Sequence, residues 1–252
     1  MAPLLSLEGV VAGYGAGDVL RGVDLRVEPG SVTCLIGPNG AGKSTVLRTV
    51  SGLLRPTAGR VVYRDEDLGA LRPKARLSRG IVHVPQERSL FPAMTVHDNL
   101  LMGGYSIRDP KLVAQRLEQA AAAFPICRDR ARAAAGSLSG GEQKQVELAR
   151  TLILDPTLVL LDEPSIGLDP RSRHLVFDSI RTLAATGRTI LLVEQNARSA
   201  LAASDVGAVL EAGVVRLAAE ASTLLSDPRV ERLYLGGGMA TAPADHRQGT
   251  GR

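Results

Sequence analysis

The stretch that most constrains the fold is GPNGAGKST, from Gly37 to Thr45, which follows an apolar run and precedes a helical pattern. The run SVTCLIG at 31–37 has the length and β-branched content of a buried strand. The segment KSTVLRTVSGLL, which begins at Lys43, has the pattern of a helix. A strand, a glycine-rich turn and a helix in this order open a parallel α/β unit whose turn binds phosphate.

Each residue type in this phosphate loop (Gly37–Thr45) has a chemical reason to be there. Glycines let the backbone wrap around phosphate oxygens with its N–H groups pointing inward, and the following helix adds its positive end. Lys43 would supply a mobile cation to the β- and γ-phosphates, and Ser44 a hydroxyl ligand to Mg²⁺. The expected nucleotide-binding residues are Gly37, Pro38, Asn39, Gly40, Ala41, Gly42, Lys43, Ser44 and Thr45.

A second strand-like run, LVLLDEP at 158–164, ends in two carboxylates. A continuous apolar run is typical of a strand buried in a parallel sheet, and such sheets bind ligands at the carboxyl ends of their strands. Asp162 would then hold Mg²⁺, largely through water, and Glu163 would polarise the attacking water. Acidic residues at a strand end are common by themselves, so this interpretation depends on the phosphate loop.

The segment LSGGEQ, from Leu138 to Gln143, has two interpretations that can both hold. Ser139 and Glu142 have the spacing of a capping box, which would begin the helix that continues KQVELARTLI. A cap does not need two successive glycines. With Gly140 and Gly141 the helix N-terminus is bare enough for its backbone and the serine hydroxyl to reach an anion.

Together these motifs resemble those of the ATP-binding-cassette (ABC) ATPases, in the order and at the spacing of that family and over nearly the whole chain. The resemblance implies an α/β fold: a P-loop NTPase (RecA-like) core with an N-terminal antiparallel β subdomain and an inserted helical lobe. It also implies ATP and Mg²⁺ as cofactors and ATP hydrolysis coupled to transport. An ordinary P-loop kinase or GTPase does not fit LSGGEQ.

The residue patterns along the chain agree with this organisation. Residues 1–235 would form the ABC ATPase domain, and the helical lobe would occupy about 87–152, where Ala-rich helical segments replace strands. The Gly-rich and polar segment 236–252 is expected to be a disordered tail.

The resemblance assigns roles outside the three motifs. Tyr14, in VAGYG, matches the aromatic residue that stacks on adenine, and Gln86 matches the glutamine that senses Mg²⁺ and the attacking water. The alternatives are a surface tyrosine at a turn and a polar residue after a strand. SIGLD, from Ser165 to Asp169, matches the loop that crosses the dimer interface. Asp169 and Pro170 also fit the N-cap and first position of a helix.

In this family two cassettes enclose two ATP molecules, and the phosphate loop of one faces the LSGGEQ segment of the other. The residues expected to contact ATP in trans are Ser139, Gly140, Gly141 and Glu142. The expected partner is therefore a second ABC ATPase subunit, either a copy of this chain or a paralogous one.

The stretch LLVEQN, from Leu191 to Asn196, leaves another buried strand where the family usually has a histidine that faces the γ-phosphate. Gln195 occupies that position. Its amide can donate a hydrogen bond but cannot titrate near neutral pH, which favours Glu163 as the general base. Alternatively, 194–196 only caps the next helix, and Asn196 can fill that role. The predicted catalytic residues are Lys43, Gln86, Glu163 and Gln195, and the predicted metal ligands are Ser44, Gln86 and Asp162.

Several segments look like those of ATPase subunits of branched-chain amino acid uptake transporters: SGLLRPTAG, TVHDNLLMGGY, LLVEQN and DPRVERLYLGG. Many members of this subgroup carry Glu at the position of Gln86, and closely similar subunits serve urea or short amides. The resemblance implies transmembrane permease subunits as partners and a peripheral location at the cytoplasmic face of the membrane. Phe91, Pro92 and Met94 would contact the permease, unless they pack within the helical lobe.

The composition bears on the competing functions. With 3% aromatic residues and no Trp, the chain does not suit a stacking platform, so no nucleic-acid partner is expected. No stretch approaches the ~20 apolar residues that span a bilayer, and no signal peptide is expected. Cys34 and Cys127 lack metal-ligand spacing. The alternative is a soluble ABC ATPase that acts on nucleic acid, ribosomes or metallocluster assembly. The translation and DNA-repair relatives usually carry two cassettes, or long inserts with zinc cysteines or coiled coils, which this chain does not have.

Overall fold

The computed structural model describes residues 2–15, 17–87, 89–228 and 230. The predicted tail, 236–252, lies outside the described residues. The strands are β1 (Leu5–Gly13), β2 (Asp18–Val27), β3 (Val32–Ile36), β4 (Ala58–Tyr63), β5 (Glu66–Asp67), β6 (Ile81–Val84), β7 (Leu158–Asp162), β8 (Thr189–Glu194), β9 (Val206–Glu211) and β10 (Val214–Glu220). The helices are α1 (Lys43–Ser51), α2 (Pro73–Leu77), α3 (Val96–Gly103), α4 (Pro110–Ala123), α5 (Ile126–Asp129), α6 (Gly140–Leu152), α7 (Pro170–Ala185), α8 (Ala197–Ala202) and α9 (Ala221–Leu225).

The larger sheet has the strand order β10-β9-β3-β8-β7-β6. Its strands from β9 to β6 are parallel, and β10 pairs with β9 in the antiparallel sense. Every residue of β3, β7 and β8 is buried, as expected of central strands covered on both faces. The carboxyl ends of these three strands therefore meet at one edge of the sheet, where the phosphate loop, Asp162 and Glu194 lie.

A second, antiparallel sheet has the order β2-β1-β4-β5 and lies against one face of the parallel sheet. Leu5 and Val10 of β1 belong to the same buried cluster as Leu35, Leu160 and Leu191 of the parallel sheet. The hydrophobic contact between the two sheets joins the N-terminal subdomain to the core. The predicted antiparallel β subdomain is present.

The helices α3 to α6 follow β6 and precede β7, as expected of a helical lobe inserted into the core. Their buried side chains, among them Val96, Phe124 and Leu148, belong to one cluster with Val176 and Ile180 of α7. Because α6 packs against α7 as well as against the other helices of the lobe, it connects the lobe to the core.

A buried arginine secures the end of α1 that is farther from the phosphate loop. Arg76 is 1% exposed. Its guanidinium donates to the carbonyl oxygens of Thr49 at 2.7 Å, Val50 at 2.9 Å and Leu68 at 2.6 Å, and its Nε donates to that of Leu71 at 3.1 Å. Two of these carbonyls belong to the last turn of α1; that of Thr49 also accepts from the N–H of Gly52 at 3.3 Å, and Arg76 supplies the donor for that of Val50.

Candidate nucleotide-binding and hydrolysis site

The phosphate loop is a tight turn between β3 and α1. Its Gly42 is the N-cap of α1 and has a φ of 105°, a conformation that favours glycine. A Cβ atom at Gly42 would also lie 2.9 Å from Cδ2 of Leu20. The turn between β9 and β10 supports the loop, because the N–H of Gly213 donates to the carbonyl of Ala41 at 3.0 Å. The glycine-dependent turn expected from the sequence is therefore present.

Lys43 and Glu163 form a buried ion pair beside the phosphate loop. Nζ of Lys43 lies 3.6 Å from Oε1 of Glu163, and the two side chains are 4% and 11% exposed. Nζ also donates to the carbonyl oxygens of Gly37 at 2.9 Å and Pro38 at 3.1 Å. The predicted phosphate-binding cation and the predicted general base are thus neighbours.

A hydrogen bond between Ser44 and Asp162 joins the phosphate loop to the acidic end of β7. Oγ of Ser44 donates to Oδ1 of Asp162 at 2.8 Å. Burial raises the pKa of the Asp162 carboxyl, while the hydrogen bond from Ser44 and the charges of Arg48 and Lys43 act in the opposite direction. A hydroxyl and a carboxylate this close together offer the hard oxygen ligands that Mg²⁺ takes, so the pair fits the ion.

Glu163 has an unusual backbone conformation. Its φ is +44°, in the left-handed region that side chains with a Cβ atom disfavour. Its N–H donates to the carbonyl of Val193 at 2.9 Å, and its own carbonyl accepts from the N–H of Ile166 at 3.1 Å. Strain of this kind persists only where the surroundings enforce it, and it is concentrated at functional sites.

Glu194, for which the sequence predicted no catalytic or binding role, forms hydrogen bonds with the loop after β7 and with the loop after β8. It is the last residue of β8 and is 2% exposed. Its Oε1 accepts from the N–H of Ser165 at 2.9 Å, and its Oε2 accepts from the N–H of Gln195 at 3.1 Å. Burial raises the pKa of this carboxyl, and hydrogen bonds from Ser165, Asn196 and Gln195 oppose the rise. The sequence feature that could have indicated this role is a carboxylate at the end of an otherwise apolar strand.

Gln195 and Glu163 line the same cavity, of about 390 Å³, together with Glu194 and Ser165. The side chain of Gln195 is exposed. Asn196 caps α8, because its Oδ1 accepts from the N–H of Ser199 at 3.2 Å. The capping interpretation of 194–196 is therefore confirmed for Asn196, while Gln195 faces the cavity that holds the predicted base.

Tyr14 lies beside α1. Its hydroxyl accepts a hydrogen bond from Nη1 of Arg48 at 3.1 Å, and the guanidinium carbon of Arg48 lies 5.9 Å from the ring centroid. The residue is 48% exposed, so its ring is accessible next to the helix that starts at the phosphate loop. This position suits the predicted stacking on adenine, which stays a prediction.

Gln86 forms no hydrogen bond with Ser44 or Asp162 in the described residues. It is exposed and lines a different cavity, of about 420 Å³, with Gly140 and Gln143 at the start of α6. In this conformation the structure brings together two of the three predicted metal ligands. The predicted roles of Gln86 toward Mg²⁺ and water stay predictions.

The predicted capping box is present at the start of α6. Oγ of Ser139 accepts from the N–H of Glu142 at 3.4 Å, and Oε2 of Glu142 accepts from the N–H of Ser139 at 2.8 Å. The second of these bonds lowers the pKa of the Glu142 carboxyl. The predicted cap of α7 is also present, with Oδ1 of Asp169 accepting from the N–H groups of Arg171 at 3.0 Å and Ser172 at 3.1 Å.

The two glycines of LSGGEQ have a packing role that the sequence did not show. A Cβ atom at Gly140 would lie 2.7 Å from Cδ2 of Leu168, and one at Gly141 would lie 3.1 Å from Cα of Ser172. A larger residue at Gly141 would press on the backbone at the start of α7, whereas the Leu168 side chain next to Gly140 could move aside. This need coexists with the bare helix N-terminus that the sequence suggested.

The family model for ABC transporters matches residues 20–166, which is more than half of the chain. This span contains the phosphate loop, LSGGEQ, Asp162 and Glu163. The chain belongs to the ABC transporter family. It is an ABC-type ATPase, in which ATP hydrolysis is coupled to transport. The resemblance read from the motifs is confirmed.

Relatives extend the match over almost the whole chain. BraG of Pseudomonas aeruginosa, a high-affinity branched-chain amino acid transport ATP-binding protein, is 38% identical over 234 residues, which cover 93% of this chain and 100% of BraG. LivF of Archaeoglobus fulgidus, a probable branched-chain amino acid transport ATP-binding protein, is 36% identical and covers 89% of this chain and 95% of its own length. LptB of Escherichia coli, a lipopolysaccharide export system ATP-binding protein, is also 36% identical, over 92% of this chain and 97% of LptB.

Solved structures agree with the fold. The ADP conformation of MJ1267, an ATP-binding cassette of an ABC transporter, superposes with a TM-score of 0.83 at 30% identity and covers 94% of this chain and 100% of MJ1267. A bacterial Atm1-family ABC exporter with ATP bound gives a TM-score of 0.76 at 28% identity, over 93% of this chain and 42% of the exporter. The predicted fold class is confirmed. Over the described part of the chain, none of the helices has the length and apolar character needed to cross a membrane.

Proposed function

We propose that this chain is the ATP-binding and hydrolysing subunit of an ABC transporter that takes up a small solute, with branched-chain or other amino acids as the cargo. The observation that carries the proposal is the meeting of two pairs, Lys43 with Glu163 and Ser44 with Asp162, at one edge of the parallel sheet. The names of BraG and LivF support the cargo. LptB has a similar identity, so the relatives support ATP-driven transport more strongly than any one cargo.

In the proposed mechanism the phosphate loop and Lys43 bind the β- and γ-phosphates of ATP. The ammonium group of Lys43 contacts only carbonyls and one carboxylate in the described residues, and phosphate oxygens would add charge-assisted hydrogen bonds. Tyr14 would stack on the adenine ring. Ser44 and Asp162 would hold Mg²⁺, which neutralises phosphate charge when it is bound.

Glu163 would act as the general base for hydrolysis. Its carboxylate would accept a proton from the water whose oxygen forms the new bond to the γ-phosphorus, while the bond from that phosphorus to the leaving oxygen of ADP breaks. Gln195, on the same cavity, would orient the phosphate or the water through its amide. Because an amide does not titrate near neutral pH, the proton acceptor would be Glu163.

A second cassette would complete the site. In this chain Ser139 and Glu142 line a cavity with residues from the start of α7. In the proposed dimer, Ser139 through Glu142 of one subunit would contact the ATP that the phosphate loop of the other subunit binds. The second subunit would be a copy of this chain or a paralogous one.

Phe91 supports a membrane partner. It is 45% exposed, although its backbone is fixed from below by the fully buried Asn99. The N–H of Phe91 donates to Oδ1 of Asn99 at 2.8 Å, and Nδ2 of Asn99 donates to the carbonyl of Phe91 at 3.0 Å. These bonds fix the backbone of Phe91, and the residue is exposed at the surface of the lobe. We propose that Phe91, with Pro92 and Met94, contacts permease subunits at the cytoplasmic face of the membrane.

Purification of the tagged chain from its native membranes in a mild detergent tests the proposed function. We expect one or two multi-span proteins to copurify, and the reconstituted complex to import labelled leucine, isoleucine or valine when ATP is supplied. Phe91→Asp should lose these partners, whereas Ala185→Asp, at an exposed position of α7, should retain them. A chain that stays in the soluble fraction without a multi-span partner would reject the transport role. Import of urea or short amides instead would correct the cargo.

A further inference from the structure

We propose that Glu194 is a positioning residue for ATP hydrolysis, whose buried carboxylate fixes the loop from Ser165 to Asp169 relative to Gln195 and thereby holds Glu163 in its strained conformation. The proposal rests on the catalytic role proposed above for Glu163. It adds a buried residue that acts through its neighbours, Ser165 and Gln195.

The position of Glu194 in the sheet is central to the site. It ends β8, which lies between β3 and β7. In the parallel register it is opposite Ile36, the last residue of β3 before the phosphate loop, and its neighbour Val193 is opposite Asp162. The carboxylate of Glu194 therefore lies between the strand end that leads to the phosphate loop and the strand end that carries Asp162 and Glu163.

A buried carboxylate at this position needs a reason. The five residues of β8 before it are Thr, Ile, Leu, Leu and Val, and an apolar residue would continue the buried strand without the cost of removing a charge from water. Among the described residues, no Lys, Arg or His forms an ion pair with Glu194, in contrast to the buried Glu147, which pairs with Lys144 at 2.6 Å. Hydrogen bonds from the side chain of Ser165 and from the backbone N–H groups of Ser165, Gln195 and Asn196 stabilise the Glu194 charge.

These N–H groups belong to two different loops. Oε1 binds the N–H of Ser165, and Oε2 binds the N–H of Gln195, so that each carboxylate oxygen serves one loop. A displacement of either loop must therefore move or break a hydrogen bond of the same rigid group. Gln at this position could accept from one loop but would present a donor to the other.

Glu163 depends on this arrangement through the turn that it begins. Ser165 is two residues after Glu163, and Ile166 donates to the carbonyl of Glu163 at 3.1 Å. The left-handed φ of Glu163 is thus maintained by Val193 on one side and by the turn that Glu194 anchors on the other. Loss of one anchor should let Glu163 relax toward an unstrained conformation.

The link also joins the two cassettes of the proposed dimer to the hydrolysis site. The loop from Ser165 to Asp169 is the one predicted to cross the dimer interface, and Ser165, Glu163 and Gln195 line one cavity with Glu194. Contact of this loop with a second subunit would then affect the positions of Glu163 and Gln195 together, through the side chain of Glu194.

The test compares Glu194→Gln with the wild type in the complex that copurifies with the tagged chain, or in the purified chain if none does. We expect kcat for ATP to fall about tenfold or more with KM changed by less than about threefold, and the Hill coefficient for ATP to approach 1. Hydrogen exchange should become faster at the amides of Ser165 and Gln195 but not within Thr189–Val193.

Glu147→Gln is the matched control, because Glu147 is equally buried and accepts the N–H of Ser89 at 2.8 Å. It should lower thermal stability without changing exchange at Ser165 or Gln195. If Glu194→Gln does not fold, Glu194→Asp, which keeps the charge on a shorter side chain, is measured in the same way. A Glu194 variant with wild-type kcat, or one whose activity falls only in proportion to the loss of folded protein, would overturn the proposal. Glu163→Gln, measured in parallel, separates this outcome from failure of the proposed function, since wild-type turnover of that variant would place the fault in the role of Glu163.

Discussion

The hydroxyl of Ser44 donates to the carboxylate of Asp162 across 2.8 Å, although 118 positions separate the two residues in the sequence. Ser44 lies in the first turn of α1, and Asp162 is the last residue of β7. The fold thus joins the phosphate loop to the acidic strand end through two groups that are both suitable ligands of Mg²⁺.

This pair predicts how nucleotide affinity depends on the metal ion. We expect the wild type to bind ATP more tightly with Mg²⁺ than with EDTA, and Ser44→Ala and Asp162→Asn to lose about tenfold of that difference, because the first removes an oxygen ligand and the second replaces an anionic oxygen with a neutral one. Isothermal titration calorimetry with and without Mg²⁺ measures it. Ser78→Ala, at an exposed serine, serves as the control and should behave as the wild type. An undiminished effect of Mg²⁺ in both site variants would contradict the assignment.

Two substitutions of Gln195 are expected to differ in their effect on ATPase activity. Gln195→His should keep substantial ATPase activity, because the imidazole can also form a hydrogen bond, whereas Gln195→Ala should lose most of it. Steady-state ATP hydrolysis in the assembled complex measures both. Normal hydrolysis by the Ala variant would show that Gln195 has no part in positioning phosphate or water.

Arg76 predicts a large loss of stability from a change that keeps the positive charge. Arg76→Lys should lower the free energy of unfolding by about 3 kcal/mol. An ammonium group cannot reach both the carbonyls at the end of α1 and those of Leu68 and Leu71, so some of these carbonyls would lose their donor. Arg79→Lys, which alters an exposed pair with Glu66, should cost much less than Arg76→Lys. Urea unfolding gives both values, and equal losses would refute the specific role of Arg76.

His83 predicts part of the acid sensitivity of the fold. Burial, with a smaller contribution from the charge of Arg48, lowers the pKa of His83 to about 4, and its Nε2 is buried without a hydrogen-bond partner. The unfolded chain binds a proton near pH 6.5 and the folded chain does not, so this residue lowers stability as the pH falls from about 6.5 toward 4. His83→Leu should therefore lose less Tm between pH 7 and pH 5 than the wild type. Parallel losses of Tm in the two proteins would contradict this.

The motifs predicted local structure because their residue types have local reasons. The turn at Gly42, the capping box at Ser139 and the caps formed by Asp169 and Asn196 each follow from one short segment, and all are present. The Ser44–Asp162 contact could also be expected, because Asp162 ends one buried strand of the parallel sheet and Ser44 lies just after another.

What the sequence left out depends on neighbours that are distant along the chain. Nothing local shows that Glu194 accepts the N–H of Ser165, or that Gly141 is small because Ser172 approaches it. The separate cavity of Gln86 likewise depends on the position of the lobe relative to the core, which no short segment encodes. These features needed the folded arrangement of strands and helices.

The most direct test of the central claim is ATP turnover by Glu163→Gln in the assembled complex. If the carboxylate is the general base, turnover should fall by about 100-fold or more, while ATP binding by calorimetry stays within about threefold of the wild type. Turnover near that of the wild type would contradict the account of the site.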